Sequence, residues 1–164
     1  MFQSLKGNGR VWIYTAKRPL TIEEAREISA TLKQFCSGWA AHGARLLADF
    51  EIKYNQVLVL AVDEEFEGAS GCSIDKATDV FRQLDQRFNL DLFNRFNLCF
   101  IKDDVLQIVK LQDISQAYKA GIINDQSVML DNTISTLAQL RSNWMVQLES
   151  SWAYSRIIRN VAQV

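Results

Sequence analysis

Leu46–Val62, LLADFEIKYNQVLVLAV, is the stretch that decides the fold. Leu46, Ala48, Phe50, Ile52 and Tyr54 alternate with Leu47, Asp49, Glu51 and Lys53. That two-residue period belongs to a strand with one buried and one wet face. Asn55-Gln56 then reads as a tight turn into Val57–Val62, which is apolar on both faces, the pattern of a central strand. Two strands separated by so short a turn pair antiparallel, as a hairpin.

Upstream, Val11–Ala16 (VWIYTA) reads as a short strand, and the loop Lys17–Leu20 holds the only proline, Pro19. Thr21 followed three residues later by Glu24 has the form of a capping box. Ile22, Ala25, Ile28, Leu32, Phe35 and Cys36 then recur at helical spacing and predict a helix over 22–37, with Gly38 as its stop. Downstream, Ile74, Ala77, Phe81, Leu84 and Phe88 predict a second helix over 74–88, with Ser73 as N-cap and Asp75 in its first turn. Leu98–Lys102 and Val105–Leu111 read as a hairpin across Asp103-Asp104, and Asp113 as the cap of a short helix ending before Gly121. From Ile122 the periodicity weakens. Thr136–Arg141 fits a helical turn or two, and Ser151–Val161 a further helix. Strand, helix, strand, strand, helix, strand is the ferredoxin-like succession. The expected class is α+β: an antiparallel sheet with helices on one face, an extra strand, a C-terminal helical extension, and a single domain over 1–164.

The 164 residues include 18 basic and 19 acidic side chains, a net charge of −1. Such a balance supplies no cationic field, so no nucleic-acid partner is expected. The six apolar residues Val57–Val62 fall far short of the ~20 that span a bilayer, so membrane insertion is not expected. The opening MFQSLKGNGRV has no apolar core of a secretory leader. Cys36, Cys72 and Cys99 are odd in number, widely spaced and form no CxxC pair. Reduced thiols in a cytoplasm fit this usage. A single histidine, His42, excludes multi-histidine metal centres. There is no GxxxxGK[ST], GxGxxG, GxSxG or HExxH, so neither a cofactor nor a metal is expected.

One constellation carries chemistry. Asp63-Glu64-Glu65 ends the apolar strand, Glu67, Gly68, Ser70, Gly71, Cys72 and Ser73 follow in a glycine loop, and a helix begins near Asp75. Amide groups at a helix start point outward and favour negative charge, thiolate included, while the neighbouring carboxylates oppose it. His42, in the loop Gly38–Gly43 beside Trp39, is a candidate base, and Arg95 a candidate anion clamp. Each has a plainer reading. Cys72 then fills a turn whose glycines need positive φ, the acids form a solvated loop, His42 bonds within its own loop, and Arg95 pairs with a carboxylate. Trp12, Trp39 and Trp144 read as packing, and Trp152 as part of a contact surface.

WAAHGARLLADFEIKYNQVLVLAVDE (39–64), ASGCSID (69–75), DLFNR (91–95) and Ser151-Trp152 resemble a family of short bacterial proteins often labelled "ABC transporter ATPase". The resemblance covers about residues 10–155. It marks Trp39, His42, Gly43, Asp63, Glu64, Ser70, Gly71, Cys72, Asp75, Asn94 and Arg95 as residues of one shared pocket. The label implies ATP hydrolysis. This chain departs from that chemistry in having no Walker A loop, no Walker B carboxylate and no LSGGQ-type signature.

Three functions follow, in order of expectation. The first is a small domain that binds a small molecule or a protein and self-associates as a homodimer. The second is an enzyme with Cys72 as nucleophile, His42 as base and Asp63 or Glu64 orienting it, its ligand held by Trp39, Ser70, Gly71, Ser73, Asp75 and Arg95. The third is the ATPase of the family label.

Overall fold

Thr21 starts the first helix as a capping box: its Oγ1 accepts from the Glu24 amide at 3.2 Å, and Glu24 accepts from the Thr21 amide at 2.8 Å. The computed structural model describes residues 2–5, 9–65 and 68–158. Its elements are β1 (Arg10–Thr15), α1 (Ile22–Gly38), β2 (Ala40–Ala41), β3 (Ala44–Arg45), β4 (Leu47–Lys53), β5 (Val57–Asp63), α2 (Gly71–Phe88), β6 (Asn97–Lys102), β7 (Val105–Lys110), α3 (Ile114–Lys119), β8 (Val128–Leu130), α4 (Leu137–Ser142) and β9 (Met145–Gln147). The class is α+β with antiparallel sheets, as the periodicities predict. The chain divides into two units, Met1–Phe93 with Ile134–Arg141, and Asn94–Thr133 with Ser142–Val164.

In the first unit β5 lies between β1 and β4, antiparallel to both. Every residue of β5 is buried. Leu58, Leu60 and Val62 pack in one core with Ile28 and Leu32 of α1 and Ala77, Phe81 and Leu84 of α2, so both helices cover the same face. Fully burying each of these large side chains stabilises by roughly 1.5–3 kcal/mol. Tyr14 of β1 stacks on Phe81 at 4.1 Å. On the other face Phe2 donates its amide to Glu51 and Ser4 its hydroxyl to Asp49, laying the segment 2–5 along β4. Arg18 donates both guanidinium nitrogens to Glu24 and one of them to the Phe88 carbonyl, tying the start of α1 to the end of α2. The outer edge of β1 meets the chain again: Thr136 bridges Arg10, Val11 donates its amide to Ser135, and Leu137 donates to Gly9. Gly9 has to be glycine, because a Cβ there would lie 1.8 Å from the Val62 carbonyl oxygen.

In the second unit the order is β7-β6-β8-β9, all antiparallel. Asp103 and Asp104 both have positive φ, as the tight primed turn of the predicted hairpin requires. Leu98 and Phe100 face a core with Ile114, Ala117, Met129 and Leu148.

Several expectations are corrected. The strand after α2, β6, does not complete a ferredoxin-like sheet with β1. It turns back on β7 and pairs with β8 on its other side, while the free edge of β1 takes Thr136. The N-cap of α2 is Ser70, not Ser73, so the helix begins at Gly71. Asp113 precedes α3 but makes no side-chain cap. The expected helix over 151–161 is described to 158, where it is wound with wider π-type turns from Tyr154, and its last residues lie outside the described residues.

Candidate functional site

The described residues between β5 and α2 are tied together by their own polar groups. Asp63 is buried at the end of β5, and its Oδ1 accepts from the Glu65 amide at 3.0 Å. Glu64 Oε1 accepts from the Ala69 amide at 3.1 Å and faces Arg10 at 3.4 Å. Ser70 Oγ accepts from the Ser73 amide, and Ser73 Oγ donates back to the Ser70 carbonyl at 2.8 Å. Ser73 is buried, and its carbonyl accepts from the indole N–H of Trp39 at 2.9 Å. Trp39 follows α1 directly and packs against Phe35 and Trp12. This one hydrogen bond places the end of α1 beside the start of α2.

Trp39, Ser70 and Ser73 are therefore brought together, with Asp63 and Glu64 in the adjoining loop. The remaining residues are arranged differently. Gly71, Cys72 and Asp75 face outward on the first turns of α2. Neither Gly68 nor Gly71 has positive φ, so neither is required by backbone conformation. His42 is exposed at the tip of the β2–β3 hairpin, where it and Gly43 both adopt positive φ, of 50° and 84°. Among the described residues no hydrogen bond joins the His42 ring to the Cys72 thiol. Arg95 is exposed and belongs to the second unit, in the turn where Asn94 Oδ1 accepts from the Phe96 amide. Glu67 lies outside the described residues. The three cysteines form no disulfide. Cys72 is exposed, and Cys36 and Cys99 are buried. Among the described residues no group of three His, Cys, Asp or Glu is arranged to hold a metal ion, and no helix is long and apolar enough to cross a membrane.

The first unit also has a cleft that no motif points to. It encloses about 430 Å³ between the last turns of α1 (Lys33, Cys36, Ser37) and the run Arg45–Phe50. Its two cations, Lys33 and Arg45, have no acidic partner among the described residues. Its one carboxylate, Asp49, accepts from the Phe50 amide at 2.8 Å and from the Ser4 hydroxyl at 3.2 Å. Burial, with the Asp49 charge adding to it, pushes the Cys36 thiol up to about 12, so this thiol stays protonated and unreactive near neutral pH. Leu47 is 52% exposed. Sequence reading missed the cleft because Lys33 and Arg45 are twelve positions apart and only the reversal between α1 and β4 brings them to one hollow. The available signal was the exposed apolar Leu47 on the predicted wet face. The second unit has a hollow of its own, of about 460 Å³, lined by Asn94, Phe96, Asn97, Lys110, Leu111 and Gln112.

Comparison of the chain with protein-family models, curated proteins and solved structures returns no match.

Proposed function

We propose that the chain is a binding domain rather than a catalyst, and that its first unit binds through the cleft between α1 and β4. The observation that carries this reading is the cleft's unbalanced charge: two cations and one carboxylate already engaged by Phe50 and Ser4. The loop 63–73 supports it from the other side, since Asp63, Glu64, Ser70 and Ser73 spend hydrogen bonds on holding that loop's shape. Thiols that form no disulfide suit a cytoplasmic protein. Screening pooled metabolites and peptides tests the proposal. Ligands at 100 times their Kd stabilise by about 2.7 kcal/mol, a rise of several degrees in Tm. That rise should vanish in Lys33→Ala/Arg45→Ala. Turnover of any compound by the wild-type chain, or hits indifferent to both substitutions, would overturn it.

A thiol enzyme is the second reading, favoured by the exposure of Cys72 on the first turn of α2. It requires that Cys72→Ser abolish any turnover found in the same screen.

A further inference from the structure

We propose that the cleft between α1 and β4 receives an extended acidic segment of a partner protein, laid along β4 as an added strand. The proposal rests on the binding-domain reading above and names its partner. β4 is the edge of its sheet, with β5 on one side only. In an antiparallel ladder alternate residues direct their N–H and C=O groups away from the partner strand. The Phe50 amide is bonded to the carboxylate of Asp49, so Phe50 belongs to that outward set, together with Ala48 and Ile52. The backbone groups of Ala48 and the carbonyl of Phe50 thus offer the edge on which strand addition depends.

The chemistry of the walls selects the segment. An extended chain places alternate side chains on opposite sides. On the α1 side its side chains would meet Phe50, Cys36 and Lys33, and on the other side Leu47, with Arg45 at the start of the lining run. A segment with acidic and apolar side chains interspersed satisfies these walls, whereas a basic segment would face two cations with the only wall carboxylate already engaged. The run Arg45–Phe50 extends over roughly 20 Å at strand rise, enough for five or six residues. A second copy of this chain is a poorer occupant. Full-length antiparallel self-pairing about Phe50 sets Asp49 opposite Glu51 twice and Leu47 opposite Lys53 twice, and like charges directly opposed are destabilising.

The test is amide chemical-shift titration of the full chain with two acetylated heptapeptides, EVEVEVE and KVKVKVK. The acidic peptide should shift amides of 33–37 and 45–50, the basic one should not, and binding should weaken at least fivefold in 0.5 M salt. The charge-swapped Lys33→Glu/Arg45→Glu chain should reverse the preference, which also shows that the variant is folded. Equal response to both peptides, shifts centred elsewhere, or concentration-dependent shifts of 45–50 without peptide (a second copy) would each overturn it. If neither peptide binds while small-ligand stabilisation still depends on Lys33 and Arg45, the acidic segment falls and the binding reading stands. If that dependence is also missing, both fall.

Discussion

The two units reach a packed core by different routes. The first relies on length: strands of six and seven residues and helices of 17 and 18, with a central strand buried from end to end. The second has a hairpin of two six-residue strands, but its other strands are three residues long and α3 six. Side-chain hydrogen bonds join elements in both units: in the second, Tyr118 donates to Asp125 at 2.6 Å, the Trp144 indole to Asn132 at 3.0 Å and Gln126 to Glu149 at 3.0 Å; in the first, Arg18 donates to the Phe88 carbonyl and the Trp39 indole to Ser73. Long amphipathic elements concentrate stability in apolar burial, while short ones need specific polar partners to fix their ends.

Core truncations test this contrast most strongly. Phe81→Ala should cost about 4 kcal/mol and Met129→Ala about 3, read by denaturant unfolding. Both side chains are fully buried, and Phe81 also loses its stacking on Tyr14. A larger loss at Met129 would reverse the assignment of apolar burial to the first unit. Capping comes next: Thr21→Ala should cost about 1 kcal/mol. The Arg18 guanidinium, with the Thr21 amide, holds the Glu24 carboxyl down to about 2. A depressed carboxyl stabilises above its unfolded value of about 4.3 and loses that contribution as pH falls towards 2. Glu24→Gln should therefore flatten the acid limb of the stability curve between about pH 4 and 2.

The matching measurement in the second unit lies at the alkaline end. The Asp125 hydrogen bond pushes the Tyr118 phenol up to about 12. A raised phenol stabilises fully below its unfolded value of about 10 and loses that contribution as pH rises towards 12. Absorbance titration at 295 nm should show a late phenol that disappears in Tyr118→Phe. The smallest effect is kinetic. At pH 8 a thiol reagent should modify Cys72 at once, and Cys36 and Cys99 only on unfolding. Prompt reaction of Cys36 would mean that the α1–β4 wall is open to solvent.

The same contrast explains what could be read from the chain. In the first unit, alternation over 46–54 and helical spacing over 22–36 each persist long enough to exceed chance, and the strands and helices stand where those periods place them. The apolar spacing places the start of α2 three residues late because its first apolar position is Ile74, while Gly71 and Cys72 on its first turn face solvent. Ser70 and Ser73 are equally suited to capping, and only the loop geometry chooses between them. β8 and β9 are too short to complete an alternation, and the two-residue β2 and β3 cannot show one. Of the candidate site, the link between Trp39 and Ser73 crosses 34 positions and is written in no local pattern. That Arg95 belongs to the second unit is equally invisible, since it depends on which strands β6 selects.

Ile134–Arg141 belongs to the first unit although the forty residues before it belong to the second. During synthesis, β1 must wait for that returning segment before Gly9 and Val11 meet Leu137 and Ser135. A nascent chain stopped near Phe93 contains the sequence of both long helices but lacks the segment that meets the outer edge of β1. Truncation at that point should yield an aggregating fragment rather than a free-standing half, and a chaperone acting on this protein would have to shield that edge until about residue 141 has emerged.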